Sequence, residues 1–244
     1  MTLIARTRAR GIETLTLDSP HRRNALSAAL VGELAAALTD SGKDGDVRAV
    51  VLTHTGNTFS AGADLKDPPD PDALVRLLRQ IVELPKPVVA RVTGHVRAGG
   101  LGLLAACDVP VASTGATFAF TEVRIGVAPA LISLTLLPRA DPRALARHYL
   151  TGERFDAAEA ARTGLLTATG DDVDDVLAPI LEGLRKAAPD ALAETKRLLT
   201  ARVLEAFDRD AADLTALSAR LFASAQAREG MTALLERRDP PWAL

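Results

Sequence analysis

A chain of 244 residues with 48% hydrophobic and 25% charged side chains can bury one substantial core, with at most a smaller appendage. Its formal charge of -2, with both signs interspersed, argues against nucleic acid or an anionic membrane as a partner. The single cysteine, Cys107, excludes an internal disulfide framework and a cysteine-based metal cluster, and the lack of an apolar leader or of ~18 uninterrupted apolar residues predicts a soluble, cytoplasmic protein.

In LIARTRARGIETLTL two alternating stretches flank Gly11, the pattern of an antiparallel hairpin that ends at the turn DSPHRRN. Ser27 stands where a side-chain cap would open the amphipathic helix AALVGELAAALTD. VRAVVLTH, residues 47–54, is an uninterrupted apolar run of the kind buried on both faces of a sheet. A second cycle supplies the glycine-rich loop GNTFSAGADLK, a helix from Pro71 to Leu84 and the β run PKPVVARVTG. RAGGLGLLAACD then reads as a short helix, and DVPVAS and TFAF as two short strands. Strand, strand, helix thus recurs at intervals of roughly 40 to 50 residues without a repeat in the sequence itself.

Past Pro138 the signals are almost all helical: PRALARHYLT, DAAEAARTG, VDDVLAPILEGLRKA, APDALAETKRLLTARVLEAF and LSARLFASAQAREGMTALLERR. This tail has high helix propensity and little aromatic bulk, so it needs partners to bury its apolar faces, which points to oligomerisation.

Three stretches combine residue types with chemical use. In SAGADLK, Gly62 permits a sharp bend and the small Ala61 and Ala63 leave the space beside it open, as a plain βα turn or a ligand cradle would require. In RAGGLGLLAACD, Ala98, Gly99 and Gly100 precede an apolar helix whose first amides lack intrahelical partners, an end that either packs against the sheet or stabilises an oxygen gaining negative charge. In FAFTEVRIGVAPA, Glu122 lies in apolar surroundings, where a carboxylate either pairs with a cation such as Arg124 or acquires a raised pKa suited to proton transfer. His21, His54, His95 and His148 fall in separate segments with no i, i+4 ligand pair, and no G-x-S-x-G elbow, dinucleotide fingerprint or P-loop is present.

Taken in order, these stretches resemble the enoyl-CoA hydratase/isomerase family of the crotonase superfamily. RNALS at 23–27 is similar to the family's N-A-L element, TFSAGADLK to its A-F-x-A-G-A-D-[LI]-K, and VTGHVRAGGLGLLAACDVPVAS to its N-G-x-A-x-G-G-G-x-x-L-x-x-x-C-D. FAFTEVRIGVAPA resembles F-x-x-P-E-x-x-x-G-x-x-P, YLTGERFDAAEAARTGLL resembles L-x-T-G-x-x-x-x-A-x-E-A-x-x-x-G-L-V, and EGMTALLERRDP resembles E-G-x-x-A-F-x-E-K-R. The resemblance implies an α/β fold of ββα units wound into a spiral over residues 1–190, with a helical oligomerisation region over 191–244 that builds homotrimers or dimers of trimers. It also implies an acyl-CoA substrate, coenzyme A being part of the substrate and no separate cofactor being needed. The thioester oxygen would be held by the backbone N–H groups of Ala63 and Gly99. Contacts to CoA would fall on Arg22, Arg23, Ala25, Ala61, Asp64, Leu65 and Lys66, and on Arg237, which stands where the family usually has a lysine and could reach CoA from a neighbouring subunit.

The chain departs from the two-glutamate hydratase pattern at one place. One glutamate of that pattern maps to Glu122, whereas the other maps to Gly102, which carries no proton. Three readings follow: a hydratase in which Glu122 works with the water itself, a double-bond isomerase with Glu122 as sole base, or an acyl-CoA-binding protein without catalysis. Arg97 could compensate by binding a second substrate carboxylate or could be structural. Asp67, Asp70 and Asp72 are expected to be solvated.

Overall fold

The computed structural model describes residues 2–244. The hairpin forms as the alternation predicts: β1 (Ile4–Ala9) pairs antiparallel with β2 (Ile12–Leu17), and Arg10 and Gly11 both take positive φ, as a tight hairpin turn demands. α1 (Ala28–Lys43) follows, opened by the Ser27 hydroxyl, which accepts from the Leu30 amide at 3.2 Å. Three cycles come next. The first is β3 (Ala49–His54), β4 (Thr58–Ser60) and α2 (Pro71–Glu83). The second is β5 (Val88–Val92), β6 (His95–Arg97) and α3 (Gly99–Ala106). The third is β7 (Val109–Ser113), β8 (Thr117–Ala119), a 3-10 turn over Glu122–Ile125 and α4 (Ala130–Leu136). α5 (Pro142–Thr151), β9 (Phe155–Asp156), α6 (Ala157–Arg162), β10 (Ala168–Gly170) and α7 (Val173–Lys186) lead to the helical tail.

The two strands of each cycle part company. First strands join one sheet of order β1-β2-β3-β5-β7-β10, and second strands join another of order β4-β6-β8-β9. Successive cycles pair in parallel, β3 with β5 and β5 with β7 in one sheet, β4 with β6 and β6 with β8 in the other. The chain therefore winds as a spiral, and each loop after a β4-type strand lies beside its counterpart from the next cycle.

The continuous apolar run of β3 has a plain cause. Val50 and Leu52 face the main core with Leu34 and Leu78, while Ala49 and Val51 face a second core with Ile12, Val89 and Val111, which α7 covers through Val173 and Leu177. Neither face of residues 49–52 meets water, so this stretch carries no polar residue, while Thr53 and His54 at its end are buried with hydrogen bonds to the Arg91 carbonyl and from the Thr93 amide.

The tail departs from the sequence reading in one respect. α8 runs unbroken from Pro189 to Phe222, since no glycine and no further proline interrupts it, and α9 (Ala225–Glu236) begins where the Ser224 hydroxyl accepts from the Ala227 amide at 3.0 Å. α8 is held within its own chain by the buried Lys196, whose Nζ lies 2.8 Å from Asp108 and donates to the Ile81 carbonyl at 2.7 Å, and by Val203 and Phe207 in the core. Leu198 and Leu199 remain 76% exposed each. Among the described residues no helix is long and apolar enough to cross a membrane.

Candidate functional site

Because β4 and β6 are parallel neighbours, the loop after Ser60 and the turn after Arg97 lie side by side. Gly62 takes φ +91, and a Cβ placed on it would stand 2.8 Å from the Ala98 Cβ and 3.2 Å from the Gly99 nitrogen. A Cβ on Gly99 would in turn lie 3.6 Å from the Ala63 nitrogen. Absence of a side chain at both glycines thus lets the amides of Ala63 and Gly99 approach each other, and neither N–H has an acceptor among the described residues. Ala98 holds φ 45 and ψ -124, a backbone region that non-glycine residues avoid, and this strained turn starts α3 abruptly at Gly99.

The RNALS segment splints the loop. Leu26 N donates to Gly62 O at 2.8 Å, Asp64 N donates to Leu26 O at 3.0 Å, and Ala61 N donates to Arg23 O at 3.0 Å. Asn24, buried with positive φ, accepts from Ser19 N at 2.8 Å and donates to Thr58 O at 2.7 Å. Its asparagine is thus a bracket between segments, a role that the motif alone does not disclose.

These amides open on a cleft of about 390 Å³. Ala61, Ala63, Leu65, Ala98, Gly99 and Glu122 line it together, as the sequence reading requires. Part of its remaining wall comes from motif segments to which no pocket role was given, Ile125 and Val127 to Ala130 of FAFTEVRIGVAPA and Met231 and Leu234 of EGMTALLERRDP, and part from places no motif marked: Pro68, Pro69 and Leu74 on the approach to and start of α2, Leu131 and Ile132 on α4, and Phe222 at the end of α8. Only apolar spacing could have suggested these residues, and that spacing also serves an ordinary core. α9 comes so close that a Cβ on Gly230 would meet the Ile125 carbonyl carbon at 2.5 Å.

Glu122 is the one ionisable side chain in the cleft wall among the described residues. It is buried, and its Oε2 has no hydrogen-bond partner. Of the two alternatives for Glu122, pairing with Arg124 does not occur: that guanidinium turns away and donates from Nε to Thr151 O at 3.1 Å, because the 3-10 turn carries the two side chains apart. Burial without a counter-charge pushes the Glu122 carboxyl up to about 7, which places its proton exchange at neutral pH.

The cationic residues divide into two groups. Arg22, in the RNALS approach, lies 2.9 Å from Asp64, whose other oxygen accepts from Lys66 N at 3.0 Å, so the end of the loop is pinned while Arg22, Arg23 and Lys66 stay exposed at its rim. Ala25 is half-buried beside them. Arg237 caps α9 with φ 57 and is exposed, three residues past the cleft residue Leu234 of the same chain. Arg97, by contrast, does not line the cleft. Its guanidinium donates to Thr117 O at 2.5 Å and Thr117 Oγ1 at 2.7 Å, and burial together with Arg154 lowers its pKa to about 10. The structural reading of Arg97 therefore holds. Asp70 is exposed, as expected, and caps α2. The Cys107 thiol is buried and pushed up to about 12 by burial, which leaves it inert at neutral pH.

Gly102 does more than lack a carboxylate. A Cβ there would collide with Ile132 Cγ2 and lie 2.7 Å from its Cβ and 3.2 Å from its Cα. Since the obstruction includes backbone, a rotamer change cannot relieve it. Gly102→Ala is expected to lower the unfolding free energy by about 1–3 kcal/mol, read from urea denaturation, by forcing α4 off α3. A variant as stable as the parent would show that α4 moves freely.

The sequence profile described as Enoyl-CoA hydratase/isomerase matches residues 7–243. Among solved structures, the chain is similar to an enoyl-CoA hydratase from Mycobacterium avium, at 49% identity and a TM-score of 0.94, with 100% of each chain covered. It is also similar to an enoyl-CoA hydratase/isomerase from Pseudoalteromonas atlantica, at 32% identity and a TM-score of 0.88 over 99% of this chain and 100% of the other. A Rhodobacter capsulatus protein named a probable enoyl-CoA hydratase is 35% identical over 242 residues, 94% of this chain and 93% of its own length.

Proposed function

This chain belongs to the enoyl-CoA hydratase/isomerase family, and from that premise we propose that its cleft converts enoyl-CoA thioesters through an enolate held by the Ala63 and Gly99 amides. The observation that carries this reading is a buried Glu122, with no counter-charge and with its Oε2 lacking a hydrogen-bond partner, in the same cleft as two free N–H groups. Preorganised amides favour the oxygen most when it bears full negative charge, which happens only along the reaction path. In hydration, Glu122 takes a proton from water as the oxygen adds to C3, the electron pair of the double bond moves to the thioester oxygen, and the same carboxyl then delivers a proton to C2. A carboxyl that exchanges its proton near pH 7 suits both halves of that cycle.

Arg22, Arg23 and Lys66 at the rim are the charge-assisted donors for the CoA phosphates, with Arg237 at the end of α9 as a further candidate. Ala25, Ala61, Asp64 and Leu65 shape the path between them. The exposed leucines of α8 support a homotrimer or a dimer of trimers built through the 191–244 region.

A second reading, double-bond isomerisation with Glu122 as sole base, is favoured by one observation: Ile132 fills the space beside Gly102 where another proton-handling group would have to stand. Incubation with crotonyl-CoA and with 3-hexenoyl-CoA separates the two. Loss of the conjugated thioester absorbance in the first reports hydration, and its appearance in the second reports isomerisation. If neither ester changes while CoA esters still bind, the chain is a binding protein and the catalytic reading is wrong.

A further inference from the structure

We propose that the outer face of the sheet β4-β6-β8-β9 carries a binding site for a phosphoryl dianion, built from His95, Arg97 and Arg154 and separate from the cleft. Val96 pairs with Phe118 across β6 and β8, Phe118 pairs with Phe155 across β8 and β9, and all three enter the main core. Side chains alternate between the faces of a sheet, so their neighbours His95, Arg97 and Thr117 lie on the opposite face. Arg154, just before Phe155, is exposed, and its charge lies close enough to act on both Arg97 and His95.

The half-buried Arg97 guanidinium spends only part of its donor set inside the protein. Nη1 donates to Val96 O at 2.9 Å and to Thr117 O at 2.5 Å, and Nη2 donates to Thr117 Oγ1 at 2.7 Å. Nε–H and the second Nη2 proton have no acceptor among the described residues, and this pair forms the fork that meets two oxygens of one anion. Thr117 Oγ1, having accepted from Arg97, has its own proton for His95 Nδ1 at 3.0 Å. The ring proton then sits on Nε2, a third donor on the same face. No carboxylate balances these cations. The one charge acting on Arg97 is that of Arg154, while Glu153 is engaged by Arg147 and His148, and Asp156 accepts from Glu159 N at the start of α6. Two adjacent guanidiniums without a counter-ion favour a dianion, because a monoanionic carboxylate offsets only one of them.

The site is independent of the chemistry in the cleft, and calorimetry on the intact protein at low salt tests it. Inorganic phosphate is expected to bind saturably at one site per chain with a Kd of about 1 mM or below. Acetate, which offers the same two-oxygen geometry with half the charge, is expected to bind at least about tenfold more weakly, and equal affinity would remove the phosphoryl assignment. A parallel titration with adenosine 5′-monophosphate separates the sources: tighter binding than phosphate identifies a phosphorylated metabolite, weaker binding identifies the free ion, and both orders support the site. Arg154→Gln, a change at an exposed side chain, is expected to weaken phosphate on the order of tenfold and to leave acyl-CoA affinity unchanged. Arg22→Gln, at the rim of the cleft, is expected to leave phosphate affinity unchanged. Absence of saturable binding, full affinity in Arg154→Gln, or loss of phosphate binding in Arg22→Gln overturns the proposal. An equal loss of acyl-CoA affinity in Arg154→Gln also overturns it, by making Arg154 part of the CoA path.

Discussion

Glu122→Gln is expected to lower turnover of the active enoyl-CoA ester by about 10²- to 10⁴-fold while sparing CoA-ester affinity, and at the same time to stabilise the protein at alkaline pH. The first effect follows because glutamine fills the same space but cannot exchange a proton. The second follows from linkage. The carboxyl's folded pKa, about 7, lies above its ordinary value of 4.5, so the neutral form carries no ionisation penalty below the ordinary value. As pH rises from there through about 7, ionisation is easier in the unfolded chain, and stability falls by about 3 kcal/mol in total. Urea unfolding at about pH 4 and about pH 8 should therefore show the parent losing that amount relative to the variant. Parallel behaviour of the two proteins would mean that Glu122 is not a desolvated, unpaired acid. In the parent, kcat/KM should rise with pH and level off above about 7 if the carboxylate acts first as base.

Replacement of Ala63 by proline is expected to reduce kcat by about 10²- to 10³-fold, equivalent to about 3–4 kcal/mol in the barrier. Proline removes the N–H at this position and no other. The bridge to Leu26 survives, since it uses the Gly62 carbonyl and the Asp64 amide rather than the amide of Ala63. The loss should fall on kcat, with the Kd of a saturated acyl-CoA changed little, because the donor matters most when the oxygen carries full charge. An unchanged kcat would take Ala63 out of the oxyanion site, and an equal loss of kcat and affinity would assign it to ground-state binding instead.

Particular residues mark where sequence reasoning succeeds. The Gly11 turn, the Ser27 cap and the two-sided burial of β3 are each decided within a few residues by backbone conformation, hydrogen-bond valence or alternation, and each is found as expected. Gly62 belongs with them, because its positive φ is a local property. The grouping of Ala63, Gly99 and Glu122 came from the order of motifs, and the spiral explains it: β4, β6 and β8 are neighbours in one sheet, so the loops that follow them converge.

Other features follow only from three-dimensional packing. Arg124 and Arg97 look available in sequence, yet each is committed to the backbone of a distant segment. Nothing in the sequence around Gly102 names Ile132, thirty positions on, as the side chain that fills its place. Nor does the composition of α8 and α9 show that Phe222, Met231 and Leu234 wall the cleft. The Gly11 turn, the Ser27 cap and the Gly62 bend were determined by the sequence, because capping and glycine conformations act over a few bonds, whereas the pairing of the Ala63 and Gly99 amides was implied by the resemblance. Whether a carboxyl is unpaired and dry was decided by the tertiary structure, because desolvation and close approach depend on every segment packed around that group.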